Sequence, residues 1–184
     1  MIRKVGFCVP GLSTQEIRET ALLCRRTLGI KRGVRAVDII EMVLPEVLDG
    51  FEYEIRYRHE LGDHHARTFP DRNLIQIRED VYDNACGLSR TTVNLYGRDN
   101  FTLAHEIGHL FLHKGAIGLA RGNLERPHER YEDSEWQADQ FAAEFLMPYD
   151  QIHLGMTVES IQQMFLVSRT AAQCRLSYIS KKTS

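Results

Sequence analysis

Asp99-Asn-Phe-Thr-Leu-Ala-His-Glu-Ile-Gly-His-Leu-Phe-Leu-His113 is the stretch that decides how this chain is read. Leu103, Ile107 and Leu110 recur at three- and four-residue spacing, which predicts a helix with an apolar stripe. Asp99 or Asn100 is the expected cap of its first turn. Four residues carry an α-helix through one turn plus about 40°. His105 and His109 therefore project from one face, off the stripe, and can grip one metal ion. Glu106 lies on the neighbouring edge of that face, where it reaches a water on the ion without binding the ion itself. His-Glu-x-x-His is the pattern of zinc peptidases. A helix whose histidines merely bond to carbonyls would need two ligands and a base to fall at this spacing by coincidence. Gly108 inside a helix costs about 1 kcal/mol relative to alanine, so another element is expected to approach closely there.

A catalytic zinc takes three protein ligands and leaves a fourth position for water. Glu132-Asp-Ser-Glu-Trp-Gln-Ala-Asp-Gln-Phe-Ala-Ala-Glu-Phe-Leu-Met-Pro148 reads as a second helix, capped by Asp133 or Ser134 and closed by Pro148. Glu135 and Asp139 are four apart and share a face. Glu135 is the expected third ligand. Asp139 is the expected acceptor for the free ring N–H of a zinc histidine, which fixes its tautomer. Glu132 and Glu144 are the rivals, but neither has an acid four residues on. The plainer reading of these acids is a solvated helix edge. Ala138, Ala142 and Ala143 are small and let this helix approach Gly108.

Phe101-Thr-Leu-Ala-His-Glu-Ile-Gly-His-Leu-Phe-Leu-His113 followed by Glu135-x-x-Ala138-Asp139-x-Phe141-Ala142-Ala143-Glu144-x-Leu146-Met147-Pro148 resembles the ImmA/IrrE metallopeptidases. A weaker similarity runs over most of the chain. The resemblance implies a zinc peptidase domain in which Glu135 follows the paired histidines as ligand. It also implies a narrow regulatory substrate, a helix-turn-helix transcriptional repressor, often of a phage or mobile element and here expected to be encoded nearby. Some relatives add a repressor-like DNA-binding domain before the peptidase, or a sensor domain after it; this chain is expected to carry neither. Metzincins ask for glycine three residues after the second histidine and a third histidine six after it, where this sequence has Leu112 and Gly115. His113 is read as a residue behind the site or a packing residue. A third ligand on a separate acidic helix matches the gluzincin arrangement.

At 184 residues the expectation is a single domain over 1–184, with a C-terminal helix pair at about 157–180 integral to it. Hydrophobic content of 43% and charged content of 26% are ordinary for a globular chain. A net charge of −2 argues against bulk electrostatic binding to nucleic acid or membrane. No apolar run reaches membrane-helix length, and the start is too weakly apolar for a signal peptide. Cys8, Cys24, Cys86 and Cys174 form no Cys-x-x-Cys pair and suit reduced thiols in a cytoplasm.

The remaining pattern predicts an α+β fold: a zincin-like domain with a small twisted sheet against the zinc helix and a helical C-terminal tail. Ser13 caps a first helix over 14–28, with Ile17, Ala21, Leu22, Cys24 and Leu28 inward and Gly29 as its stop. A second helix over 36–44 gives way at Pro45. Strands are expected over 51–58 (Phe51, Tyr53, Ile55 and Tyr57 on one side), 73–78 and 91–95. The segment 114–130, rich in Gly, Arg and charge, joins the two metal helices and is expected to be mobile and to shape the cleft.

The expected cofactor is Zn2+, though the ligand set would also take manganese or cobalt. Glu106 acts as general base and then protonates the leaving amine. Tyr96, His64, His65, His113 and His128 are the available donors to an oxyanion, and sequence does not choose among them. An edge strand could align an extended substrate. A competing idea comes from 158–179, which reads as helix–turn–helix with Ser168 as cap and Arg169, Arg175, Lys181 and Lys182 as cations, an arrangement that can read DNA. Phe165, Val167, Ala172, Leu176 and Ile179 look core-facing instead, so direct nucleic-acid binding is not expected. Two classes remain: a zinc endopeptidase that removes a repressor, or a non-catalytic regulator that binds a repressor or DNA. The sequence fixes no oligomeric state.

Overall fold

The computed structural model describes residues 6–88, 96–116 and 127–183. Its first helix, α1 (Thr14–Thr27), starts where the sequence places it. The Ser13 hydroxyl accepts from the Glu16 N–H, and the Glu16 carboxylate accepts from the Ser13 N–H, a reciprocal cap. Ile17 and Ala21 are fully buried, and Gly29 ends the helix at φ +67°. The next inward position is Arg25, whose guanidinium donates to the carbonyls of Phe145 and Arg32. Leu22, Cys24 and Leu28 are half-buried.

The helix expected to end at Pro45 runs past it. A short turn, α2 (Ala36–Asp38), passes through a wider π-helical turn (Ile39–Val43) into α3 (Leu44–Val47). Pro45 falls in the first turn of α3, where a missing N–H removes no helical bond.

Three strands form the sheet: β1 (Glu52–Arg56), β2 (Ala66–Phe69) and β3 (Leu74–Arg78), in the order β1-β3-β2. β1 runs parallel to β3, and β2 runs antiparallel to it. β3 is central, with Leu74, Ile75 and Ile77 buried. β1 departs from its expected alternation, because Ile55 is 47% and Tyr57 61% exposed. β1 is an edge strand of the described sheet, paired on one side only. Tyr57 has already left the strand, and its N–H is bonded to the Glu60 carboxylate at the head of the one-turn helix α4 (Arg58–Leu61). A further helix, α5 (Glu79–Ala85), follows β3. The strand expected over 91–95 lies outside the described residues, as do residues 117–126 of the connection between the two helices that carry the histidine pair and Glu135.

The long helix α6 (Tyr96–Leu112) buries Leu103, Ile107 and Leu110. It is already helical at Tyr96, so Asp99 and Asn100 are interior residues and not its caps. Their polarity serves tertiary ties instead. Asp99 accepts from the Asn84 amide at 2.9 Å. Asn100 accepts from the Ala36 N–H and donates to the carbonyls of Val34 and Leu166.

Against α6 lies α7 (Ser134–Leu146), capped by Asp133, whose carboxylate accepts from the Trp136 N–H at 2.8 Å. A Cβ added at Gly108 would sit 3.2 Å from the Ala138 carbonyl and 3.1 Å from the Phe141 ring. That close approach is what the glycine permits.

The tail consists of α8 (Val158–Phe165) and α9 (Arg169–Thr183), with Leu166 left-handed at the turn. Phe165, Val167, Ala172 and Ile179 join the same apolar core as Leu103, Ile107 and Phe141. Arg175 is 5% exposed and grips the buried Glu144 carboxylate with two bonds, while Arg18 supplies a third. Glu144 is thus occupied in an interior ion pair. Among the described residues, no helix is long and apolar enough to cross a membrane. Among the described residues, Cys8, Cys24, Cys86 and Cys174 form no disulfide.

Candidate metal centre

α6 contributes His105 and His109, and the first turn of α7 contributes Glu135. One ligand atom from each lies within 4.8 Å of the other two. The Nε2 atoms of the two histidines are 2.9 Å apart. The Glu135 carboxylate lies 3.5 Å from His105 Nε2 and 3.3 Å from His109 Nε2. Ligands on a tetrahedral zinc at about 2.0–2.1 Å stand roughly 3.3–3.4 Å from one another. Two imidazole nitrogens at 2.9 Å need a hydrogen or a cation between their lone pairs. Two imidazoles and one carboxylate suit a borderline-soft ion such as zinc. The residues present therefore fit a metal ion.

Asp139, one turn along α7, accepts from Nδ1 of His105 at 2.9 Å. This leaves Nε2 as the nitrogen with the free lone pair in the neutral ring. Burial works against charge on His105, but the hydrogen bonds of Asp139 and Glu135 outweigh it and raise its pKa to about 10. Burial also works against charge on Glu135, and there too the bonds to His105 and His109 prevail, holding the carboxyl well below the usual range. His113 goes the other way. Burial, with the His109 charge beside it, pushes it down to about 3.

The N-terminal segment pins the turn that carries Glu135. Gly6 and Phe7 donate their N–H groups to the side chains of Asp133 and Ser134, and the Ser134 N–H returns a bond to the Phe7 carbonyl. A Cβ on Gly6 would meet Ser134 Oγ at 2.4 Å and the Glu135 nitrogen at 2.7 Å.

Glu106 is 7% exposed, and its carboxylate accepts from the Thr68 hydroxyl at 2.6 Å. Thr68 belongs to β2, which lies directly on α6. A cleft of about 740 Å³ opens over these groups, walled by Phe7, Arg67, Phe69 and Phe101. Of the five candidate oxyanion donors, His64, His65 and His113 line the cleft, whereas Tyr96 and His128 do not. His128 is bonded to Asp133. Burial, with Arg78 and Arg98 nearby, lowers the pKa of His65 and favours its neutral ring.

Sequence reasoning passed over Thr68, Gln137 and residues 6–9. Gln137 left a faint signal, a polar residue between Trp136 and Ala138 on a helix whose neighbouring faces are apolar. Ala66-Arg-Thr-Phe69 left none, because it lacks the alternation that marks a strand.

A small mixed sheet beside a helix with paired histidines, an acidic second helix and a helical tail define a zincin-like α+β domain. Residues 96–177 match the family described as the IrrE N-terminal-like domain, that of the ImmA/IrrE peptidases. No curated protein matches the chain. Among solved structures, a Mycobacterium tuberculosis transcriptional regulator is similar with a TM-score of 0.58 at 16% identity. That likeness covers 89% of this chain and 46% of the regulator, so the chain spans less than half of that protein and shares its fold over that part.

Proposed function

We propose that this chain is a zinc-dependent endopeptidase that cuts one specific protein, a helix-turn-helix transcriptional repressor encoded nearby. The observation that carries the reading is the convergence of His105, His109 and Glu135 ligand atoms within 4.8 Å beside the carboxylate of Glu106. When bound, zinc supplies Lewis acidity to water and to a carbonyl oxygen. Glu106 takes the proton of the attacking water and passes it to the leaving amine. The Thr68 hydroxyl keeps that carboxylate against β2 while it works. β2 is an edge strand among the described residues, so an extended substrate can add to it by main-chain hydrogen bonds and run past Glu106. His64 and His65 line the same cleft and are of the type that could supply a donor to the developing oxyanion.

The DNA-reading alternative for the tail is weakened, because Arg175 is spent on Glu144 inside the core. The test is to load the full chain with zinc, verify the metal by elemental analysis, and mix it with the repressor encoded beside it. Cleavage that disappears with chelator and in Glu106→Gln supports the peptidase. Stable binding without a cut, at full zinc loading, supports a non-catalytic regulator.

A further inference from the structure

Behind His109 a chain of side chains runs inward, and its hydrogens can be placed. Gln137 is fully buried. Its amide nitrogen faces two main-chain carbonyls, Pro10 at 2.9 Å and Tyr131 at 2.7 Å. Carbonyls only accept, so this end of Gln137 must be the NH2 group and the other end must be its oxygen. That oxygen lies 3.0 Å from Nε2 of His113. His113 Nε2 therefore carries a hydrogen and donates it.

His113 is 1% exposed, and a charge there would be unsolvated beside the metal-binding histidines, so the ring is neutral. Its Nδ1 is then an acceptor, and it sits 2.9 Å from Nδ1 of His109. His109 must donate from Nδ1. Its Nε2 keeps a lone pair, aimed at the point where His105 and Glu135 converge.

We propose that His113 and Gln137 are positioning residues that lock His109 in its metal-binding tautomer, anchored on the carbonyls of Pro10 and Tyr131. The proposal rests on the metal reading above and deepens it. Asp139 does the same for His105 in one step, whereas His109 is set through two neutral side chains that begin at the N-terminal segment. Outer partners of this kind are worth about 10–100-fold in metal affinity.

The experiment measures zinc dissociation constants on the full chain by competition with a chromophoric chelator, with far-UV circular dichroism as the fold check. His113→Phe fills the space but accepts nothing from His109. His113→Gln is smaller but can accept from His109 and donate to Gln137. The relay predicts a weakening of about 10–100-fold in the Phe variant and near-native affinity in the Gln variant. A purely packing role predicts the reverse order, and that order, or equal affinities throughout, overturns the proposal. Nitrogen-15 spectra of the zinc-loaded native rings give a readout free of any substitution. The expected pattern is hydrogen on Nδ1 of His109 and on Nε2 of His113; hydrogen on Nδ1 of His113 overturns it. A native chain that takes up no zinc overturns the metal reading and the relay together. A native chain that binds zinc as tightly as both variants overturns the relay alone.

Discussion

The hydroxyl of Thr68 lies 2.6 Å from the carboxylate of Glu106, so the edge strand that borders the cleft also holds the acid that follows the first histidine. Removing that bond in Thr68→Val is expected to lower kcat about tenfold, in line with the loss of about 1.5 kcal/mol from one hydrogen bond to a charged group. KM and zinc content are expected to stay near native. Steady-state kinetics with elemental analysis separates this outcome from a lost metal.

The metal competes with a proton. The pKa of His105 is raised to about 10, so below that pH the ring must release a proton before Nε2 can serve as a ligand. The apparent zinc dissociation constant is expected to fall about tenfold per pH unit from pH 6.5 to 9. Chelator competition across that range measures it, and a flat profile would contradict the assignment.

The same groups set the stability of the metal-free chain, with opposite signs. His105 binds its proton more tightly folded than unfolded, so its contribution is complete below about 6.5 and fades as pH rises towards 10. His113 is pushed down to about 3, so the fold loses stability as pH falls from about 6.5 towards 3, where the unfolded ring binds the proton that the folded ring refuses. Urea midpoints measured against pH should therefore decline on both sides of the neutral range.

Two glutamates on α7 have separate duties. Glu144→Gln leaves Arg175 and Arg18 without their shared carboxylate. Breaking a buried ion pair costs about 3–5 kcal/mol, so a lower Tm is expected with zinc stoichiometry unchanged. Glu135→Gln is expected to abolish tight zinc binding.

Gly6→Ala tests the N-terminal segment. The new methyl would collide with Ser134 and with the backbone nitrogen of Glu135. Zinc affinity is expected to drop by at least as much as in Gly108→Ala, where the added carbon meets its neighbours at 3.1–3.2 Å. The comparison needs only the two dissociation constants.

The helices of the site were legible because their signals are local. The stripe of Leu103, Ile107 and Leu110, the caps at Ser13 and Asp133, and the four-residue spacings of His105 to His109 and Glu135 to Asp139 all lie within a few turns. What was hidden depends on distance along the chain. β2 is a polar edge strand whose partner is five residues away and whose cover is α6. Gln137 bonds a carbonyl 127 residues upstream. Ile55 and Tyr57 alternate like buried residues but are exposed, one on an edge strand and the other beyond its end. Pro45 is read as a helix stop unless the π-helical turn before it, a tertiary feature, is known. Asp99 and Asn100 look like caps because their types favour caps, yet both are drawn inward by partners on other elements.

The most direct test of the central claim is a crystal of the zinc-soaked chain measured on both sides of the zinc absorption edge. The account predicts one anomalous peak at about 2.0–2.2 Å from Nε2 of His105, Nε2 of His109 and the Glu135 carboxylate. A peak bound elsewhere, or one that leaves Glu135 uncoordinated, would contradict it.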